Sequence, residues 1–300
     1  MHAADALDDR IAGTGSIACV GLDPRPELLP PAVIDRHRGV GSPAGEVAGA
    51  FIDANRRIID AITDRCAAVK PQAACYEAYG LAGWRALEDT VRHAVEAGIP
   101  VILDAKRGDI GSTAAHYGHM AFGGAPDLDG GRCAGIGADW LTVNGYLGSD
   151  GVEPVLAAGG GVFVLVKTSN PGSGELQDLE LAEGGTVADR MADRVAAWGA
   201  ERVGRSGLSD VGAVVGATYP EHAVALRARM PDTIFLVPGY GAQGGSAADA
   251  VAGRRPDGRG VLVSSSRGIT GAWRHAGTDD VGAAARQALD AMNADLDAAR

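Results

Sequence analysis

The sequence predicts a (β/α)8 barrel, and three observations carry that expectation. Eight short apolar runs rich in Val, Ile and Ala recur along the 300 residues, most of them followed by a longer amphipathic stretch. Strands covered by helices on every side lose the polar alternation of a half-exposed sheet and read as continuous apolar runs. The units together fill roughly 250 residues, the usual span of such a barrel. No Gly-x-Gly-x-x-Gly follows the first run, where GLDPRP (21–26) stands instead. This weighs against a doubly wound dinucleotide-binding sheet, the other architecture that alternating elements allow.

The elements follow in order. SIACVGLD (16–23) reads as the first strand and ends on Asp23; a Gly/Pro-rich loop at 24–45 leads to a helix from Glu46 to Arg65. AAVKPQ (67–72) is the second strand, with a helix from Leu81 to Ala97; PVILDAK (100–106) is the third, with a helix from Ile110 to Phe122. A second glycine-rich loop, 123–138, precedes the fourth strand, WLTVNG (140–145), and the helix Gly151 to Ala158. GVFVLVKTS (161–169) is the fifth strand, followed by a third loop at 170–185 and a helix from Val187 to Val203. VGAVVGAT (211–218), TIFLVPG (233–239) and GVLVSSS (260–266) complete the eight, with helices at Pro220–Met230, Ser246–Ala252 and Val281–Arg300. Most helices place apolar residues three and four apart, as in the VADRMADRV stretch that begins at Val187. No linker composition interrupts the chain, so residues 1–300 are expected to form one domain.

Composition narrows the function. With 38 acidic and 27 basic residues the net charge is −11, which repels phosphodiester backbones and disfavours a nucleic-acid partner. No run of 18 apolar residues occurs, and MHAADALDDRIAGTGS at the start lacks an apolar signal core, so the chain reads as cytoplasmic, with no membrane partner. Cys19, Cys66, Cys75 and Cys133 have no C-x-x-C spacing and read as free thiols.

Among 27 basic residues only Lys70, Lys106 and Lys167 are lysines. Lysine is a compact charge that can release its proton, which arginine cannot do at ordinary pH. All three fall at or near the C-terminal ends of predicted strands, where barrel enzymes carry their catalytic groups. In DAKRGDIGST (104–113) strand alternation sets Asp104 and Lys106 on one face and Ala105 on the other. Asp109 follows a tight step, and Thr113 lies four residues on, at helical spacing.

The spacing D-x-K-x-x-D-I-x-x-T resembles the signature of the orotidine 5'-phosphate decarboxylase family, and the likeness extends from Asp23 to Arg267, with loops like those of its larger bacterial members. The resemblance implies a metal-free enzyme without a cofactor, converting orotidine 5'-monophosphate to uridine 5'-monophosphate and CO2. It implies that Lys106 protonates C6 and that Asp104 lies beside the substrate carboxylate. Lys70 and Asp109 complete an alternating array, with Asp109 and Thr113 reaching into the neighbouring site of a homodimer. Ser169 in TSNPGS (168–173) corresponds to a hydroxyl that meets the pyrimidine, and Asp23 to a carboxylate that holds the ribose or base edge.

The phosphate end is legible independently, because barrels often bind phosphate in the loops after the seventh and eighth strands. PGYGAQGG (238–245), opening on Pro238, allows close backbone approach to an anion, and SSSRG (264–268) brings Arg267 to the same corner. The resemblance implies phosphate contacts from Gln243 and Arg267, with Gly244 and Gly245 beside them. Lys167 is expected in an interior ion pair. His116 and His119 have i, i+3 spacing but no evident third ligand, and read as helix-surface histidines.

Two other functions fit parts of this pattern. Metal-dependent keto-sugar-phosphate decarboxylases and aldolases share the D-x-K-x-x-D core, but a carboxylate is expected there on the second strand, where this chain has Lys70. A non-catalytic phosphate-binding barrel predicts a degraded charge array, whereas Lys70, Asp104, Lys106 and Asp109 are all present.

Overall fold

A computed structural model describes residues 2–241 and 244–300. Its eight parallel strands are β1 (Ala18–Leu22), β2 (Ala68–Pro71), β3 (Ile102–Arg107), β4 (Trp140–Val143), β5 (Gly161–Lys167), β6 (Ser209–Val215), β7 (Thr233–Val237) and β8 (Val261–Ser265). Each lies within a few residues of its predicted run. They pair in chain order around the ring, β1 closing on β8 with Ala18 opposite Val263. The β2/β3 seam is held by two single bridges, Val69 to Val101 and Gln72 to Asp104, so the sheet is a closed barrel.

The residues on the two sides of each strand explain the continuous apolar runs. Inward side chains, among them Ile102, Trp140, Phe163, Ile234, Leu236 and Leu262, form one buried cluster inside the barrel. Trp140 and Phe163 meet there with ring centroids 4.5 Å apart. Outward residues such as Val69, Val101, Leu141, Val164 and Val263 pack under the helices in a second, larger core. Both faces are therefore dry.

The eight predicted helices are present with shifted ends. The first, predicted from Glu46, begins at Pro43 because Ser42 caps it, its hydroxyl accepting from the Gly45 amide, and proline suits the first helical position. The helix at Val187–Gly199 starts on a reciprocal cap between Thr186 and Asp189.

Several elements differ from the sequence reading. The loop 24–45 holds a helix at Pro31–His37, 123–138 holds a short hairpin pairing Ala125–Pro126 with Arg132–Cys133, and 170–185 holds a turn of helix at Gly174–Gln177. Residues 3–14, for which the sequence predicts no element, form a helix whose Ala3, Ala4 and Leu7 join the interior cluster. This helix plugs the N-terminal end of the barrel: Asp210 accepts from the Ala4 amide at 2.8 Å, and Asp5 accepts from the Arg205 and Ser206 amides. The opposite end is thereby left as the open one. Among the described residues no helix is long and apolar enough to cross a membrane.

Candidate active site

A cleft of about 690 Å³ opens at the C-terminal ends of the strands. Its wall includes Asp23, Lys70, Asp104, Lys106, Ser169, Pro238 and Arg267, which the sequence reading had drawn from six different strand ends. Among the lining residues that the sequence does not single out, Gln72 and Thr142 are the two that touch Asp104.

Asp104 is the centre of this arrangement. It is buried on β3, and its two oxygens are divided between four donors. Lys106 Nζ (2.6 Å) and Thr142 Oγ1 (2.9 Å) donate to Oδ1, while Lys70 Nζ (2.8 Å) and Gln72 Nε2 (3.0 Å) donate to Oδ2. Burial alone would raise the Asp104 carboxyl, but the two ammonium groups outweigh it and hold it well below the usual carboxylate range. Burial likewise works against charge on Lys70, and the carboxylates of Asp104 and Asp23 outweigh it, so that this ammonium is held above the ordinary lysine value.

Lys106 reaches Asp104 by a route that simple alternation does not provide. Its backbone has φ +46°, and it is the one non-glycine residue with positive φ among those described. The β3/β4 register shifts between Leu103 and Arg107 at this point. The Lys106 amide leaves the ladder and donates to Thr142 Oγ1 at 2.9 Å. A left-handed non-glycine residue costs roughly 1–3 kcal/mol and persists where its surroundings overdetermine it. Here Thr142 holds both the backbone of Lys106 and the carboxylate that its ammonium meets. The lysine side chain is 46% exposed and stands in the cleft.

Glycines let the other walls come close. A Cβ on Gly216 would lie 2.9 Å from Ser169 Cβ, and one on Gly21 would lie 2.7 Å from Ser266 Cβ, so neither position has room for a side chain without displacing a cleft residue. Asp23 Oδ1 and Ser266 Oγ are buried in the cleft without a hydrogen-bond partner among the described residues. Buried polar atoms left unpaired in a folded protein are costly, and a polar ligand would satisfy both.

Asp109 and Thr113 stand apart, outside the cleft wall. Asp109 Oδ1 accepts from the Ile110 amide at 2.8 Å, at the start of the helix Gly111–Phe122, and Thr113 is exposed on that helix. Gly244 and Gly245 also lie off the wall. Their amides are donated within the turn, to Gly241 O at 2.9 Å and Gly239 O at 3.1 Å. Gln243 lies outside the described residues. His116 Nδ1 is 2.7 Å from Ser112 O, and no group of three or more metal-binding side chains occurs among the described residues.

A closed eight-stranded parallel barrel with a lysine–carboxylate array at its open end defines a barrel enzyme whose catalytic face is built on fixed charge. A family model described as "Orotidine 5'-phosphate decarboxylase / HUMPS family" matches residues 17–278. An orotidine 5'-phosphate decarboxylase of Rhodopirellula baltica is 46% identical over 274 residues, 90% of this chain and 88% of that one. One from Haloarcula marismortui is 46% identical over 285 residues, 94% and 92% of the two chains. The solved structure of Leishmania donovani OMP decarboxylase superposes with a TM-score of 0.73 at 36% identity, covering 99% of both chains. The chain belongs to the orotidine 5'-phosphate decarboxylase / HUMPS family.

Proposed function

We propose that this protein converts orotidine 5'-monophosphate to uridine 5'-monophosphate and CO2 in de novo pyrimidine biosynthesis, in the cytoplasm. The observation that carries the reading is the Lys70–Asp104–Lys106 array. Loss of CO2 from the pyrimidine leaves its electron pair on C6, and fixed positive charge beside that carbon stabilises it without reorganisation. Lys106, the more exposed of the two ammonium groups, supplies the charge and then the proton. Lys70, buried and pinned to Asp104, supplies charge and keeps the carboxylate ionised. Asp104 aligns both lysines and repels a substrate carboxylate placed beside it.

The remaining cleft residues divide by position. Arg267 and the start of the 238–245 loop suit the phosphate; Asp23, with an oxygen unpaired among the described residues, suits a ribose hydroxyl; Ser169 suits the ring. The keto-sugar-phosphate reading is disfavoured by Lys70, whose ammonium stands where a cation held by Asp104 would need to be. Incubation with orotidine 5'-monophosphate, with uridine 5'-monophosphate and CO2 quantified, tests the assignment. Equimolar products are expected. Turnover of a keto-sugar phosphate in place of the nucleotide would contradict it.

Asp109 and Thr113 fit a shared site in a homodimer. Support comes from their place outside the cleft wall and from the apolar surface around them. Ile110, Tyr146 and Leu147 are 53, 75 and 46% exposed, and a Cβ on Gly151 would lie within 3.4 Å of both Leu147 Cβ and Asp109 O. Clustered apolar surface of this kind marks an interface. If Asp109 serves the partner's site, Lys106→Ala and Asp109→Ala proteins should each be inactive. Reassorted mixtures of equal amounts should regain about a quarter of wild-type activity, because one site in each mixed dimer of two-fold symmetry carries neither defect. Mixed dimers that stay inactive would place each site within one chain.

A further inference from the structure

Lys167 takes no part in the chemistry above, yet it is completely buried at the end of β5. A buried ammonium is costly unless paired, and this one has three neighbours. Its Nζ donates to Asp178 Oδ1 at 2.6 Å, lies 3.5 Å from Ser173 Oγ, and sits 4.7 Å from the centre of the Tyr219 ring. Ser173 and Asp178 belong to the segment after β5, which supplies Thr168, Ser169, Asn170, Gly172, Leu176 and Gln177 to the cleft wall. Gln177 closes that segment on itself, accepting from the Thr168 amide at 2.9 Å and donating to Thr168 Oγ1 at 2.8 Å. Tyr219 belongs to the loop after β6, where the Ala217 amide donates to Pro238 O at 2.9 Å, at the entrance to the loop after β7. One ammonium therefore ties the wall segment after β5 to a loop that is itself bonded to the next.

We propose that Lys167 is a positioning residue, a latch that holds segment 168–178 in its ligand-ready arrangement through Asp178 and Tyr219. Its effect on turnover rests on the decarboxylase reading; its effect on the segment does not. With the latch intact, Ser169 and Gln177 meet the substrate already ordered. Without it, only a fraction of molecules is ready to bind, and apparent affinity falls by that fraction; a tenth ready corresponds to about a tenfold rise in KM.

Lys167→Met tests this at the buried end and Asp178→Asn at the half-exposed end, where the fold is less at risk. Two readouts are needed: KM and kcat for orotidine 5'-monophosphate per titrated active site, and the rate of cleavage after the exposed Glu175 by a glutamate-specific protease. KM should rise about tenfold with kcat changed far less. Cleavage at Glu175 should accelerate by a similar factor, and added uridine 5'-monophosphate should slow it again. The latch is refuted if Asp178→Asn leaves both KM and cleavage unchanged. It is also refuted if cleavage accelerates at every glutamate alike while the fraction of active sites falls at constant KM, because that is general destabilisation. Should Lys167→Met not fold, Asp178→Asn decides. A wild-type protein without decarboxylase activity would overturn the substrate reading alone, since the cleavage comparison needs no turnover.

Discussion

Lys106→Ala should abolish turnover while binding of uridine 5'-monophosphate stays within a few-fold of wild type. Two contributions vanish together: a positioned proton donor is worth about 10²–10⁴ in rate and a preorganised charge about 10²–10³, so kcat should fall by roughly 10⁴–10⁷. The product carries no developing charge at C6, so its affinity depends on the other contacts. Lys106→Arg separates the two contributions. It keeps a positive charge at the end of a left-handed backbone but removes the usable acid, and it should be nearly as poor. Single-turnover kinetics and product titration check both variants, and near-normal kcat in Lys106→Ala would remove this residue from the mechanism.

Removing Asp104 should cost stability as well as rate. Its carboxylate accepts from Lys70, which has nowhere else to place its charge except toward Asp23, and breaking a buried pair from one side costs about 3–5 kcal/mol. Asp104→Ala should therefore lower the unfolding free energy by that amount in urea titration and leave no measurable turnover. The pH dependence follows from the direction of the shift. The folded carboxyl is held below its unfolded value, so its contribution is complete above about pH 4 and is lost as pH falls further. Lys70 is shifted upward, so its contribution is complete below about pH 10 and is lost in alkali. Wild type should lose stability steeply in acid, and Asp104→Ala should lose less over the same interval. Equal acid sensitivity would mean that Asp104 is not ionised in the fold as described.

Most of the barrel was legible because its strands are buried on both faces, and burial writes itself into sequence as apolar runs. The N-terminal plug was not, since helix Ala3–Thr14 is short and acidic, and the surface it covers is formed by strand ends far away in the chain. The three lysines were conspicuous because so few occur. Gln72 and Thr142 were not conspicuous, although Gln72 falls two residues after Lys70, on the same face of a strand. A polar residue at a strand end has many innocent uses, and only the carboxylate between them shows what these two hold. The left-handed turn at Lys106 was also hidden, because lysine carries no sequence signal for positive φ. Asp109 and Thr113 stand out only through the motif and the family it resembles, and a single chain leaves them at the surface beside Ile110 and Leu147.

In the proposed reaction, ammonium groups supply the positive charge that a metal ion supplies in metal-dependent decarboxylases. Both Asp104 oxygens already accept from lysines, which leaves a cation no vacant oxygen on Asp104. The direct measurement is the rate of absorbance loss from orotidine 5'-monophosphate with purified protein, before and after exhaustive treatment with EDTA. Equal rates are expected, with no gain on adding Mg²⁺. Activity that disappears with the chelator and returns with Mg²⁺ would contradict that expectation and return the chain to the metal-dependent keto-sugar-phosphate chemistry that Lys70 argues against.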